Sequence, residues 1–281
     1  MLQQVNAASW IMKQVDTLII SGASITNSPW FTWADIVTEI LQPRKVIDVS
    51  ARGTGNYYIA LSCIDAILNT NVDEAVLCMP MFTNIDKFDM YIPQGSVGKF
   101  QTQKHPPLTL DGKFATKDTY GFWCTGSHWP EVKQLYQQNF YSNNISAINN
   151  ILLFYSLSQL CQQRACGLVP LFDSAIWQLL EKDLNALVLG TPLEYKNFLA
   201  SPEVAAVSKL LDQQWFDFVP LINYAIDHSL PFYNEVNKMH PPSNVHHQWV
   251  IKYVCAQLSE YNQHQLSAGF MKKLQSFTLA W

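Results

Sequence analysis

Three short apolar runs, separated by two amphipathic ones, alternate along the first ninety residues. This alternation restricts what the chain can fold into more than any other feature. "TLIIS" (Thr17 to Ser21), "KVIDVS" (Lys45 to Ser50) and "EAVLCM" (Glu74 to Met79) have the length and apolar character of buried strands. Between them, "WFTWADIVTEIL" and "NYYIALSCIDAIL" place apolar residues at helical spacing. Strand, helix, strand, helix, strand at these lengths means right-handed βαβ units and a parallel sheet covered on both faces. Farther on, "NNISAINNILLFYSLSQLCQQ" predicts another helix and "CGLVPLF" (Cys166 to Phe172) a fourth strand. The expected fold class is α/β, a three-layer α/β/α arrangement around a parallel sheet of about five strands.

The chain has 281 residues and 48% hydrophobic content, enough for a full core in a single domain. We read residues 1–281 as one domain with insertions at about 91–130 and 176–224. The first insertion is rich in Pro, Gly, Lys and aromatic residues and too long for an ordinary connection; the second reads as mostly helical. Only 14% of residues are charged, against about 25% in an average soluble protein. With a net charge of -4, nothing resembles the basic surface that nucleic acid demands, and no nucleic-acid partner is expected. No apolar run approaches the ~20 residues needed to span a bilayer, and the first residues lack the pattern of a secretory leader. A cytoplasmic protein without a membrane partner is expected. The six cysteines are dispersed, without a Cys-x-x-Cys pair, and are read as free thiols.

In open parallel sheets, ligands sit beyond the carboxyl ends of the strands. Three loops meet that criterion: Gly22 to Pro29, Ala51 to Asn56 and Pro80 to Asp86. Ser24 leaves the first strand near the backbone N–H groups that open a helix, and such donors stabilise an oxyanion. Ser is also a preferred turn and cap residue, so this position alone leaves both readings open. Gly53 and Gly55 let backbone approach a ligand, and Asn56 offers a side-chain amide; a plain turn with a helix cap explains them equally well. His240, in "NEVNKMHPPSNVHHQWV", sits outside regular structure ahead of Pro-Pro-Ser, where an imidazole can serve a serine as base. His246 and His247 follow, but the spacing matches no standard zinc pattern, so no metal is expected.

Taken together, "SGASIT", "DVSARGTGNYYIALS" and "HPPSNVHHQW" resemble, in order and approximate spacing, the SGNH (GDSL-like) hydrolase superfamily, in particular a poorly characterised branch often encoded by phages. The resemblance covers both ends and most of the framework, but not the middle insertions. It implies a flavodoxin-like sheet and a serine esterase that needs no cofactor. It matches Ser24 to the nucleophile, with its own N–H in the oxyanion hole, and Gly53 to a second donor. The family's third donor is an Asn in Gly-x-Asn-Asp, where this chain reads "MPMFTNIDKFD". Asn84 is the stand-in there, with Asn56 as the other source of an amide. The last block normally reads Asp-x-x-His, and here it is Asn237-Lys-Met-His240. His240 is then the base and Asn237 its orienter, a neutral group where a carboxylate usually stabilises the imidazolium. Three outcomes follow: a Ser-His dyad of modest activity, a carboxylate recruited from elsewhere (Asp227 or Glu235), or a protein that has lost catalysis. His246 matches the family's second histidine and Trp249 its aromatic companion, both expected to pack and to fix the loop.

The nine tryptophans are many for this length, and sugars stack on exposed aromatic rings. Trp30 beside the Ser24 loop, with Trp123 and Trp129 in the first insertion, are candidate substrate contacts; Trp33 is expected in the core. The expected function is hydrolysis of a small-molecule or carbohydrate ester, an O-acetyl group among the candidates. The alternative is an inactive SGNH-type fold that binds a glycan or a partner.

Overall fold

Every residue of β1 (Thr17–Gly22) and of β3 (Val76–Phe82) is buried. Because successive side chains point to opposite faces of a strand, such runs require cover on both sides. The structure is a computed structural model. It describes residues 14–83, 87, 89–93, 109–111, 121–125, 143–173, 201–211, 215, 219–230 and 240–279.

β1 lies at the centre of a parallel sheet. On one side it pairs with β2 (Lys45–Asp48), from Thr17↔Lys45 to Ile20↔Asp48. On the other it pairs with β3, from Thr17↔Val76 to Gly22↔Met81. Beyond β3 lie β6 (Gly167–Leu168) and β7 (Leu171–Phe172), both parallel to it. The fourth strand expected over 166–172 is therefore split. Val169 still donates its N–H to Cys78 O (3.0 Å), but Pro170 has no N–H to continue the ladder. β2 forms the other edge, and three of its four residues are exposed.

The crossovers are α1 (Trp33–Leu41) and α2 (Asn56–Leu68). α1 starts where it does because Thr32 and Asp35 form a capping box: Thr32 N–H donates to the Asp35 carboxylate at 2.8 Å and Thr32 Oγ1 accepts from Ala34 N–H at 3.3 Å. α2 packs on β1 and β3 and also meets α3 (Asn143–Gln163), which in turn meets α4 (Pro202–Ser208). α1 packs instead against α6 (Ser243–Trp249), which also touches α5 (Leu221–Asp227) and α7 (Ala268–Leu279). The result is an α/β protein with a parallel sheet of about five strands, compatible with helix, sheet and helix in three layers. α6 continues through a π-helical segment, Val250–Val254. Phe82, Phe154 and Trp215 fill the core beside β3, with Phe154 stacked on Trp215 (centroids 5.4 Å apart).

The first insertion contributes an antiparallel pair, β4 (Asp89–Pro93) and β5 (Gly121–Thr125), in register from Asp89↔Thr125 to Pro93↔Gly121. The pair begins two residues ahead of the boundary expected from sequence. Of the second insertion, residues 176–200 lie outside the described residues; α4 and α5 follow them. Among the described residues, no helix is long and apolar enough to cross a membrane, and the five described cysteine side chains carry free thiols.

Candidate active site

The chain turns sharply where β1 ends. The amides of Thr26 and Asn27 both donate to Ala23 O at 3.0 Å, closing one tight turn around Ser24. Gly22 and Thr26 explain why this turn forms. A Cβ at Gly22 would overlap the Thr26 hydroxyl, and that hydroxyl accepts the indole N–H of the fully buried Trp33 at 3.0 Å. The spacing Gly-x-Ser-x-Thr thus lets the threonine fold back over the glycine and anchor to the core, leaving Ser24 half-buried at the rim. Ser28 Oγ donates to Ser24 O and closes the loop from the far side.

The second loop is tied to the first. Ala51 N–H donates to Gly22 O (2.9 Å), Asn27 Nδ2 to Ser50 O (2.9 Å) and Arg52 Nε to Asn27 O (3.0 Å). Gly53 sits at the apex with φ 77°, a left-handed conformation in which glycine is unstrained. Thr54 Oγ1 donates to Ala51 O at 2.8 Å and holds the turn from within.

His240 completes the arrangement from 216 residues away in sequence, its Nε2 2.9 Å from Ser24 Oγ. Pro241 and Pro242 follow, fixing the approach to α6, whose N-cap is Pro242. Trp30 stands edge-on to the imidazole, ring centroids 6.0 Å apart and planes at 85°. It is half-buried and forms a wall beside the serine–histidine pair.

Behind this pair lies His246, 1% exposed. Its Nδ1 accepts the backbone N–H of Trp33 at 3.0 Å, so the ring proton is on Nε2. A second hydrogen bond joins the ring to the Pro241 backbone, where only a carbonyl is present to accept it. Burial is the main cause that pushes its pKa down to about 3, with the nearby His240 adding to the effect. A neutral His246 therefore ties the start of α1 to the residue following His240. This geometry matches a fixing role for the ring and leaves its proton out of reach of chemistry at neutral pH.

The other expected residues are not all brought together. Asn56 is 2% exposed, and its amide is fully engaged inside the protein. Nδ2 donates to Thr83 O (2.8 Å) and Asn150 Oδ1 (2.7 Å), while Oδ1 accepts from Thr83 N–H (2.8 Å). With both amide hydrogens used, Asn56 has none to give an oxyanion. It pins the start of α2 to the end of β3 instead, a correction to the expectation from sequence. Asp227 is exposed at the end of α5. Asn84, Trp129, Glu235 and Asn237 lie outside the described residues, and of Trp123 only the backbone is described, paired with Tyr91 in the β4–β5 ladder. Trp33 is in the core as expected.

Sequence reading missed Asp89, whose carboxylate caps α2, and Asn150, the partner of Asn56. Neither stands in a motif, and Asn150 meets Asn56 across 94 residues of sequence. Among the described residues, no group of three or more His, Cys, Asp or Glu side chains is placed to hold a metal ion.

A hydroxyl in hydrogen-bond contact with an imidazole, at the carboxyl end of a central parallel strand, is an arrangement suited to nucleophilic catalysis. Comparison of the chain with family models, curated proteins and solved structures gives no match.

Proposed function

We propose that this protein is a serine ester hydrolase of the SGNH type, built on a three-layer, flavodoxin-like α/β/α fold. The observation that carries the reading is the 2.9 Å contact between Ser24 Oγ and His240 Nε2. The strand order β2-β1-β3-β6, with β7 also on β3, supports the fold assignment, because it follows the doubly wound order in which sites form beyond the strand ends.

In this mechanism His240 Nε2 takes the hydroxyl proton as Ser24 Oγ bonds to the ester carbonyl carbon. The carbonyl oxygen becomes an oxyanion, held by the backbone N–H groups of Ser24 and Gly53. Collapse breaks the carbon–oxygen bond to the alcohol, which leaves with the proton from His240. Water then attacks the acyl-Ser24, giving its proton to His240; release of the carboxylic acid returns that proton to Ser24. No metal or organic group takes part in these steps. The resemblance puts Asn237 in the position of the residue that orients the imidazole, and Trp30 offers an aromatic wall to the substrate, which favours an acetylated carbohydrate among carboxylic esters.

A non-catalytic module for binding a glycan or a partner is the second reading. Two observations favour it: Asn237 in place of the carboxylate, and the engaged amide of Asn56. Hydrolysis assays separate the two. With short acyl esters and acetylated sugars, the esterase reading expects turnover that falls at least 100-fold in Ser24→Ala and in His240→Ala, a drop on the scale of general base catalysis, about 10²–10⁴-fold. Turnover unchanged in Ser24→Ala would rule it out.

A further inference from the structure

One half-buried carboxylate has no part in the mechanism above. Asp89 opens β4, and both of its oxygens are engaged at the start of α2: Oδ1 accepts the Gly55 N–H at 2.7 Å and Oδ2 the Tyr58 N–H at 2.9 Å. Gly55 is the N-cap residue of α2 and has no side chain to cap it, so the first insertion supplies the cap from outside. The fit is close. A Cβ on Gly55 would lie 2.7 Å from Lys87 O and 2.9 Å from Asp89 Oδ2.

Gly55 also ends the turn whose apex is Gly53. That turn is held at its start by the Ala51 N–H on Gly22 O and at its end by Asp89. We propose that Asp89 is the positioning residue of the oxyanion turn: by anchoring the Gly55 and Tyr58 amides, it sets the orientation of the Gly53 N–H toward the reacting ester. This inference rests on the esterase reading and extends it to the first insertion, which then acts on the site through one side chain.

A carboxylate suits the task because both oxygens accept. An asparagine would present an NH₂ group to one of the two amides. Protonation has a similar effect, since one oxygen then carries a hydrogen. Desolvation is the main cause that raises the Asp89 pKa to about 6, against the opposing pull of the Tyr58 and Gly55 amides, of Lys87 and of the Tyr57 amide. Among the described residues, the ionisable groups facing it are Lys87 from its own strand approach and Tyr58 from α2, and the charges of Asp111 and Asp48 also act on the Tyr58 hydroxyl.

The test uses the full chain and two readouts. In ¹H–¹⁵N spectra between pH 4.5 and 8, the Gly53, Gly55 and Tyr58 amides are expected to shift together with a midpoint near 6, and Asp89→Asn to abolish that shared titration. The rate at which a fluorophosphonate labels Ser24 is expected to fall tenfold or more in Asp89→Ala and less in Asp89→Asn, while the Asn variant melts within a few degrees of the parent. If Asp89→Ala does not fold, the Asn variant and the titration decide. A Gly53 amide indifferent to both pH and Asp89→Asn overturns the proposal, and so does an unchanged labelling rate in both variants. A parent protein that shows the shared titration but takes no label overturns the esterase reading instead, leaving Asp89 as the anchor of the turn.

Discussion

Ser24 and His240 meet in a hydrogen bond although nothing local brings them together. Each is placed by its own neighbours: Ser24 by a turn anchored through Thr26 to Trp33, His240 by two prolines and the buried His246 behind them. These two residues were legible in sequence through the joint order of their short motifs, "SGASIT" and "HPPSNVHHQW", since the turn around Ser24 alone left both readings open. Asn56 was misread because what decides its role is its partners, Thr83 and Asn150, and partners distant in sequence leave no local trace. At position 237 the resemblance expects Asp and the sequence has Asn, a neutral group that has no charge to stabilise an imidazolium. In the serine protease triad, the reverse change from carboxylate to amide lowers turnover by about 10⁴. We therefore expect Asn237→Asp to raise kcat on a short acyl ester by tenfold or more with little change in KM, measured by steady-state hydrolysis. A kcat that stays the same or falls would remove Asn237 from the role of orienter.

At the level of elements, the strand-to-helix turn after β1 depends on the absence of a side chain at Gly22. We expect Gly22→Ala to force the Thr26 hydroxyl away, breaking its bond to the Trp33 indole and costing about 1–3 kcal/mol. Thermal or urea unfolding measures this loss; stability within 0.5 kcal/mol of the parent (about the scatter of neutral surface changes) would contradict it. The three leading strands and two crossover helices follow their sequence pattern closely, because β1 and β3 are buried at every position and the amphipathic face of α1 packs as its periodicity requires. The break between β6 and β7 was less legible. Pro170 interrupts the ladder, yet flanking bonds from Val169 and Asp173 keep the segment running beside β3. An apolar pattern registers the continuity of such a segment but not the missing N–H. The hairpin of β4 and β5 escaped sequence reading for a related reason: its partners stand far apart in the chain, with no short turn to announce the pairing.

For the molecule as a whole, His246 links α1, α6 and the chain around His240, and it does so as a neutral ring. Its pKa, about 3 in the folded protein against 6.5 for the unperturbed side chain, means that the unfolded chain binds one more proton between those values. The stability it allows is present above pH 6.5 and is lost as pH falls toward 3, with a slope of about 1.4 kcal/mol per pH unit. Asp89 works in the opposite sense. Its raised pKa means that the folded state holds the extra proton between about 4 and 6, so this group makes folding less favourable as pH rises through that window. We expect chemical denaturation at pH 7 and pH 5 to show a smaller acid loss in His246→Gln than in the parent, and a larger one in Asp89→Asn; equal losses in all three would contradict both assignments. The central claim remains that the fold places an activated serine at the end of β1. Intact-mass analysis after incubation with a fluorophosphonate tests it most directly. A single adduct, absent in Ser24→Ala and strongly reduced in His240→Ala, is the predicted result. No adduct under conditions that label a known serine esterase, or an adduct that persists in Ser24→Ala, would contradict it.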